Sequence, residues 1–471
     1  MRLETMVGFE DKLNEVLASA VEGFRGLTSA ERLSGGASQE TYRVVVETDR
    51  GEEQLALRRA AGGGYDTAAP GRPGLATEAR LFDVAREAGV PEPRIHRVLE
   101  SQDGIGDGFL MEWLDGETLG ARIVRSPELE SVRPLLAFQC GEILARIHAI
   151  DVESTGLDAL LERRTPSEFI ERTWDNYRAF ETPQPMIDFA GRWLLENLPA
   201  DSHMSLVHND FRNGNLMVTP EGVAAVLDWE TAHIGDPMRD LGWICTNSWR
   251  FGRSDLPVGG FGRYEDLFAG YESVSGVTVD PKRVHYWEVF GSFWWAVGCL
   301  GMAQAYRTGP DPSVERPAIG RRSSECQVDC VNLLIPGPVE LVEATDASGD
   351  DLPRIDELIV SVRDFLREEV MEATAGRVNF LARVAANSLD IVDRDFTLGH
   401  GHRRREGERL RALLGSSGEL EDLRWLLVGA LRDGTMPLEE PALVEHLRTT
   451  VVNQAAIDQP RYSGFRQAVE R

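Results

Sequence analysis

Val207-His208-Asn209-Asp210-Phe211-Arg212-Asn213-Gly214-Asn215 is followed, after residues 216–227, by Asp228-Trp229-Glu230. The pattern is His-x-Asp-x-x-x-x-Asn, a hairpin-length spacer, then Asp-Trp-Glu. Asn215-Leu216-Met217-Val218 reads as a short strand and Val223-Ala224-Ala225-Val226-Leu227 as a second. Between them Thr219-Pro220-Glu221-Gly222 supplies a turn, with Pro pre-set in φ and Gly free to take positive φ. In a hairpin the start of the first strand lies beside the end of the second. The spacing therefore predicts Asn215 and Asp228 as neighbours, next to Asp210 in the preceding loop.

These residue types suit phosphoryl transfer, in which a protein mostly positions reactants and neutralises charge. One carboxylate orients the acceptor hydroxyl and takes its proton, and Asp210 fits that role. Magnesium prefers hard oxygen ligands, one or two from protein and the rest from phosphate and water. Asn215 and Asp228 would supply the protein share. A lone His-x-Asp-x-x-x-x-Asn is a weak match, and an Asp after an apolar strand is commonly a turn residue. The two joined by a hairpin of the right length are far more specific.

Residues 207–241 resemble the aminoglycoside phosphotransferase/choline kinase-like family, a branch of the protein-kinase-like fold. Asp228 is followed by Trp-Glu rather than Phe-Gly, and Ile234-Gly235-Asp236-Pro237-Met238-Arg239-Asp240-Leu241 is similar to the family's Gly-Asp-Pro-x-x-Asp-Leu segment. The resemblance implies that Asp240, with His208, supports the catalytic loop structurally. The subgroup it resembles is related to the kinase-like part of acyl-CoA dehydrogenase fusion proteins.

At 471 residues, 42% hydrophobic and 27% charged, the chain has the length of two or three domains and an ordinary globular composition. A formal net charge of −27 argues against general nucleic-acid binding, because nothing would offset phosphate repulsion. No apolar run reaches 18 residues and no basic-then-apolar leader opens the chain, so no membrane association and a cytoplasmic location are expected. The five Cys are scattered and odd in number, which reads as buried thiols in a reducing compartment.

Along the chain, residues 9–25 read as an amphipathic helix. Gly35 and Gly36 then stand between strands, where backbone amides can cover phosphates; a plain turn is the competing reading. In the strand Gln54-Leu55-Ala56-Leu57-Arg58-Arg59, a kinase-like fold would place a phosphate-holding Lys. Here Arg stands instead. Strand alternation puts Arg58 on the face of Ala56, so Arg58 is chosen over Arg59, and an Arg keeps the charge while adding a bidentate fork. Glu78 opens a helix and resembles the glutamate that pairs with this cation; the alternative is a first-turn acid favouring the helix dipole. By order alone, Glu112, Trp113 and Leu114 resemble the hinge that meets adenine.

His148 ends an apolar helical stripe and reads as a capping residue. After Asp240 come aromatic-rich segments, including Trp243, Trp249, Trp294 and Trp295, which suit either helix–helix core or the wall of an apolar or cationic acceptor site. Ile335-Pro336-Gly337-Pro338 stops the kinase-like part, 339–352 reads as an acidic linker, and 353–471 as several amphipathic helices. Residues 399–405, Gly-His-Gly-His-Arg-Arg-Arg, are compatible with metal or phosphate binding but read rather as a solvated helix start.

The expected architecture is α+β, a bilobal protein-kinase-like fold with a C-terminal all-helical domain: 1–112 the smaller lobe, 113–338 the larger lobe with a helical substrate insert, 353–471 a helical appendage. The expected activity is transfer of the ATP γ-phosphoryl to a hydroxyl of a small molecule, with ATP and Mg2+ as cofactors. The alternative is a nucleotide-binding pseudokinase or scaffold without turnover. The acceptor, ATP against GTP, and the role of the C-terminal helices (a lid, a dimerisation surface or a partner dock) stay open.

Overall fold

The computed structural model describes residues 2–33, 39–65, 68–69, 71–200, 203–309, 312–344 and 352–470, with side chains from residue 8 onward. Gly35, Gly36 and residues 345–351 of the acidic linker lie outside the described residues.

The chain opens with α1 (Arg2–Ala20) and a five-stranded antiparallel sheet, β1 (Phe24–Arg32), β2 (Gln39–Thr48), β3 (Gly51–Ala60), β4 (Ile95–Val98) and β5 (Gly108–Glu112), in the order β1-β2-β3-β5-β4. The first helix ends earlier than its periodicity predicts. Gly23, at φ +70°, turns the chain so that Phe24 begins β1 instead of closing the helix. Strand alternation then divides the sheet. Leu55 and Leu57 of β3 join Leu13, Val16 and Leu17 of α1 in one apolar cluster. Ala56 and Ala60 face the opposite way, toward Ala79 and Phe82 of α2 (Leu75–Glu87). Arg58 shares that second face, and this puts it opposite Glu78.

The larger lobe is mainly helical: α3 (Gly120–Arg125), α4 (Arg133–His148), α5 (Pro166–Arg178), α6 (Pro185–Glu196), α7 (Met238–Cys245), α8 (Tyr264–Ser275), α9 (Pro281–Thr308), α10 (Glu315–Arg321) and α11 (Ser323–Leu334). Two small ribbons interrupt it. β6 (Ser205–Val207) pairs with β9 (His233–Gly235), and β7 (Leu216–Thr219) pairs with β8 (Gly222–Val226). No helix among the described residues is long and apolar enough to cross a membrane. All five cysteines are buried and unpaired.

The C-terminal part is helical throughout: α12 (Ile355–Phe365), a π turn (Leu366–Val370), α13 (Met371–Ala373), α14 (Gly376–Leu414), α15 (Leu420–Arg432), α16 (Pro441–Asp458) and α17 (Ser463–Val469). Leu410, Leu423, Leu427, Leu443 and Val452 belong to the same continuous core as Leu194 of α6 and Val331 of α11. These helices therefore complete the larger lobe's core. The segments around Phe380 and Leu410, which read as separate helices, form one 39-residue helix. Residues 399–405 lie inside it rather than at a solvated start. A Cβ at Gly401 would approach Val342 Cγ1 at 2.9 Å, so the glycine lets residue 342 pack on the helix.

His402 is 2% exposed and His446 1% exposed, beside Glu406, whose carboxylate accepts two bonds from Arg424 at 2.7 and 2.6 Å. Burial pushes both imidazoles down to about 4, against the pull of Glu406. Unfolded histidine titrates near ~6.5, so the unfolded chain binds more protons between those values. Stability from this pair is thus complete above pH ~6.5 and is lost as the pH falls toward 4. Each histidine should cost about 2 kcal/mol by pH ~5. A melting temperature unchanged between pH 7 and pH 5 would contradict the assignment of both as buried neutral groups.

Candidate active site

The hairpin places its ends as the spacing demands. Leu216 pairs with Val226, and the Leu227 N–H donates to Asn215 O at 2.7 Å, which sets Asn215 beside Asp228. The Asn215 side-chain amide donates to Asp210 Oδ2 at 2.6 Å and to Asp210 O at 2.9 Å. With its nitrogen spent on Asp210, the Asn215 carbonyl oxygen is the atom left for a cation. Asp210, Asn215 and Asp228 are thereby gathered at one point.

Two further donors converge on Asp210 Oδ1: Arg212 Nε at 2.9 Å and Trp243 Nε1 at 2.8 Å. The sequence reading assigned neither. Arg212 stands only two residues after Asp210, which was the one local signal. Trp243 comes from α7, and nothing local connects it to the loop.

Asp240 supports the loop from beneath. Fully buried, it accepts the backbone N–H groups of His208 at 2.8 Å and Asn209 at 2.7 Å. Its Oδ2 also lies 3.1 Å from His148 Nε2, and His148 Nδ1 lies 3.1 Å from the Tyr271 hydroxyl. Burial would raise Asp240, but the bonds from His148 and His208 hold its carboxyl below the usual range. His148 is thus a partner of Asp240, not a helix cap. His208 donates from Nε2 to Leu227 O at 3.1 Å, and its Nδ1 accepts the Asp210 N–H at 3.2 Å. One imidazole so ties the loop to the end of the hairpin. Asn209 (φ +68°) and Asp228 (φ +70°) both sit in the left-handed region that non-glycine residues rarely adopt. Strain of this kind costs on the order of 1–3 kcal/mol and persists where surrounding bonds over-determine it, as Asp240 does for Asn209.

Arg58 crosses from the sheet to the loop. Its Nε lies 3.1 Å from Glu78 Oε1, and its Nη2 lies 2.5 Å from Asp228 Oδ1. Burial opposes the guanidinium charge, and the carboxylates of Glu78 and Asp228 outweigh it, so Arg58 is held firmly protonated. Burial raises the Glu78 carboxyl while Arg58 pulls it back. Arg59 points to the other side, toward Glu40 at 2.8 Å and the Phe9 ring. Glu112 ends β5, paired with Leu55, and its N–H donates to Arg94 O at 2.8 Å. Trp113 and Leu114 follow it as a half-buried connection between the lobes.

Above the loop lies a cavity of about 960 Å³, lined by Asp210, Arg212, Asp228 and Glu230 on one side and by Trp243, Trp249, Trp294 and Trp295 on the other. Of the aromatics whose role the sequence left open, these four reach the cavity, while Trp287 and Phe293 are core. The Arg212 guanidinium carbon sits 4.3 Å from the Trp249 ring centre. Arg239, 1% exposed, is enclosed by Trp243, Trp294 and Phe290 at 4.6, 5.0 and 5.2 Å, and burial pushes it down to about 10. Such cation–π contacts offset part of the cost of burying the charge.

The donors fit a hard divalent cation shared with a polyphosphate. Asn215 and Asp228 offer oxygen ligands, and magnesium takes few from protein. Among the described residues, no group of three or more His, Cys, Asp or Glu is placed to hold a metal by itself.

The profile of the phosphotransferase enzyme family matches residues 29–277, and that of a domain of unknown function matches residues 372–462. Acyl-CoA dehydrogenase family member 10 of Mus musculus is 33% identical over 222 residues, covering 45% of this chain and 19% of that protein. Acyl-CoA dehydrogenase family member 11 of Gallus gallus is 26% identical over 331 residues, covering 64% and 40%. The matches thus cover well under half the length of these relatives. A crystal structure of a candidate aminoglycoside phosphotransferase from Ralstonia eutropha superimposes with a TM-score of 0.56 at 23% identity, covering 69% of this chain and 97% of that one, and shares the fold.

Proposed function

The chain belongs to the phosphotransferase enzyme family, and on that premise we propose that it transfers the γ-phosphoryl group of ATP to a hydroxyl of a small molecule, in a Mg2+-dependent reaction. The observation that carries this reading is that Asp210 and Asp228 line a cavity with an aromatic wall, with Asn215 bonded to Asp210 and set beside Asp228.

In this reading Asp210 orients the acceptor hydroxyl and accepts its proton. Trp243 and Arg212 fix the Oδ1 side of the carboxylate, and Asn215 fixes the other. Asn215 and Asp228 hold the metal, which when bound neutralises charge on the transferring group. Arg58, braced by Glu78, meets the nucleotide phosphates. Glu112, Trp113 and Leu114 meet the base through their backbone. His208 and Asp240 keep the loop in shape. Arg212 also sets a positive charge beside Asp210, where charge develops on the phosphoryl oxygens.

Among the described residues the charged side chains lining the cavity balance, Arg58, Arg72 and Arg212 against Asp210, Asp228 and Glu230. A polycationic antibiotic would call for an acidic surplus. The tryptophan wall suits a hydroxylated metabolite with an apolar portion, and the curated relatives, named as acyl-CoA dehydrogenase family members, lean the same way. One observation favours the alternative, a nucleotide-binding protein without turnover: Asp228 is already engaged by Arg58.

The test is transfer of label from γ-labelled ATP into a pool of cellular metabolites and aminoglycosides. Removing divalent cations with EDTA should reduce labelling by about 100-fold or more, with recovery on adding Mg2+. Labelling that persists in EDTA would overturn the metal assignment. Bound MgATP without any labelled product would favour the non-catalytic alternative.

A further inference from the structure

The matched domain of unknown function ends at residue 462, where the chain turns back onto the larger lobe. Tyr462 donates its hydroxyl to Asp329 Oδ2 at 2.6 Å, and Asn247 Nδ2 donates to Asp329 Oδ1 at 2.8 Å. Ser463 Oγ donates to Asn247 Oδ1 at 3.2 Å, and Asn332 Nδ2 donates to Gly464 O at 2.9 Å. Asp329 and Ser463 are 2% and 3% exposed. A Cβ at Gly464 would collide with Asp329 Oδ1, so only glycine admits this approach. Asn247 opens the short turn Asn247–Trp249. At its end Trp249 lines the cavity, meets the Trp243 ring at 5.1 Å and lies beneath Arg212. Its carbonyl accepts a bond from Asn213 Nδ2 of the catalytic loop at 3.2 Å.

A second strut reaches the opposite wall. Arg432 of α15 donates to Asp188 Oδ1 at 2.7 Å. Asp188 also accepts Trp174 Nε1 at 2.8 Å and the Tyr177 hydroxyl at 2.9 Å, both from α5. The same helix contributes Thr173 and Asn176 to the cavity.

We propose that the C-terminal helices are positioning elements of the acceptor pocket: Tyr462, Ser463 and Gly464, acting through Asp329 and Asn247, hold Trp249 against the catalytic loop. The proposal rests on the reading of this cavity as the acceptor site. The chain's two matched segments are then one functional unit, and the helices act on acceptor handling rather than on nucleotide binding.

Tyr462→Phe and Gly464→Ala in the full chain test it. The control is Arg448→Ala, which removes a different contact between α16 and the larger lobe, a bond to Pro338 O. Hydrogen exchange at the Trp249 and Arg250 amides, which donate to Thr246 O and Asn247 O, should accelerate at least ~10-fold in the two test variants and stay at the wild-type rate in the control. Label transfer should fall by a similar factor, with the KM for ATP within about twofold of wild type. Wild-type exchange at both amides in both test variants would overturn the proposal. So would equal loss of protection along α9, α11 and α16, the mark of general loosening. Exchange is read without nucleotide or acceptor, so failure of the phosphoryl-transfer reading leaves it measurable, and normal transfer with unchanged exchange sinks the positioning role alone.

Discussion

Asp210→Ala is expected to bind MgATP within a few-fold of wild type and to lose phosphoryl transfer by about 10²–10⁴-fold. The bonds of Asp210 run to Arg212, Asn215 and Trp243, while Arg58 is held by Glu78 and Asp228, so the nucleotide side keeps its own partners. What disappears is the proposed acceptor for the hydroxyl proton and the fixed point on which Arg212, Asn215 and Trp243 converge. Those donors lose a shared partner, so Asp210→Asn is the cleaner second variant. It keeps the shape and part of the hydrogen bonding while removing the charge. The measurement is single-turnover transfer alongside nucleotide affinity. Transfer at the wild-type rate in both variants would remove Asp210 from the chemistry. A parallel fall in ATP affinity would make its role structural.

Arg58→Ala should have the next largest effect, and it acts on folding as well as on ATP. Glu78 is 1% exposed, and Arg58 is its ion-pair partner at 3.1 Å. Removing one member of a buried pair leaves an uncompensated charge and costs about 3–5 kcal/mol. The double variant Arg58→Ala with Glu78→Gln should recover a large part of that stability, because no buried charge remains. It should not recover ATP turnover, because the proposed phosphate contact of Arg58 is gone. Arg58→Lys separates charge from geometry: a single ammonium does not reproduce the fork that spans Glu78 and Asp228. We expect it to fold nearly normally with weakened kcat/KM for ATP. Denaturant melts and ATP kinetics on the three variants decide the matter. Full ATP kinetics in Arg58→Ala would assign Arg58 a structural role only.

The site was largely legible where its parts lie close in sequence. The hairpin between Asn215 and Asp228 is a local structure, and its turn residues and apolar strands specify it without outside help. The choice of Arg58 over Arg59 rested on the period-2 alternation of a strand, which any sheet imposes. The same reasoning failed where local pattern was compatible with two outcomes. Phe24 continues the apolar stripe of the first helix, yet Gly23 turns it into a strand. Residues 399–405 look solvated because of their arginines, yet their glycines and His402 face inward.

The sequence alone determined the candidate catalytic loop, the two candidate metal ligands and the helical character of the C-terminal part, while the pairing of Arg58 with Glu78 came from the resemblance to a kinase-like fold. The first three follow from the spacing of one hairpin and from helical periodicity. Only the tertiary structure decided that His148 serves Asp240 from 92 residues away, that Trp243 and Arg212 share Asp210, which tryptophans face the cavity, and that Tyr462 reaches Asn247 through Asp329. The reason is physical. Periodicity fixes which face of an element is apolar, but which partner covers that face, and which polar groups meet when it is covered, depends on how all the elements pack at once.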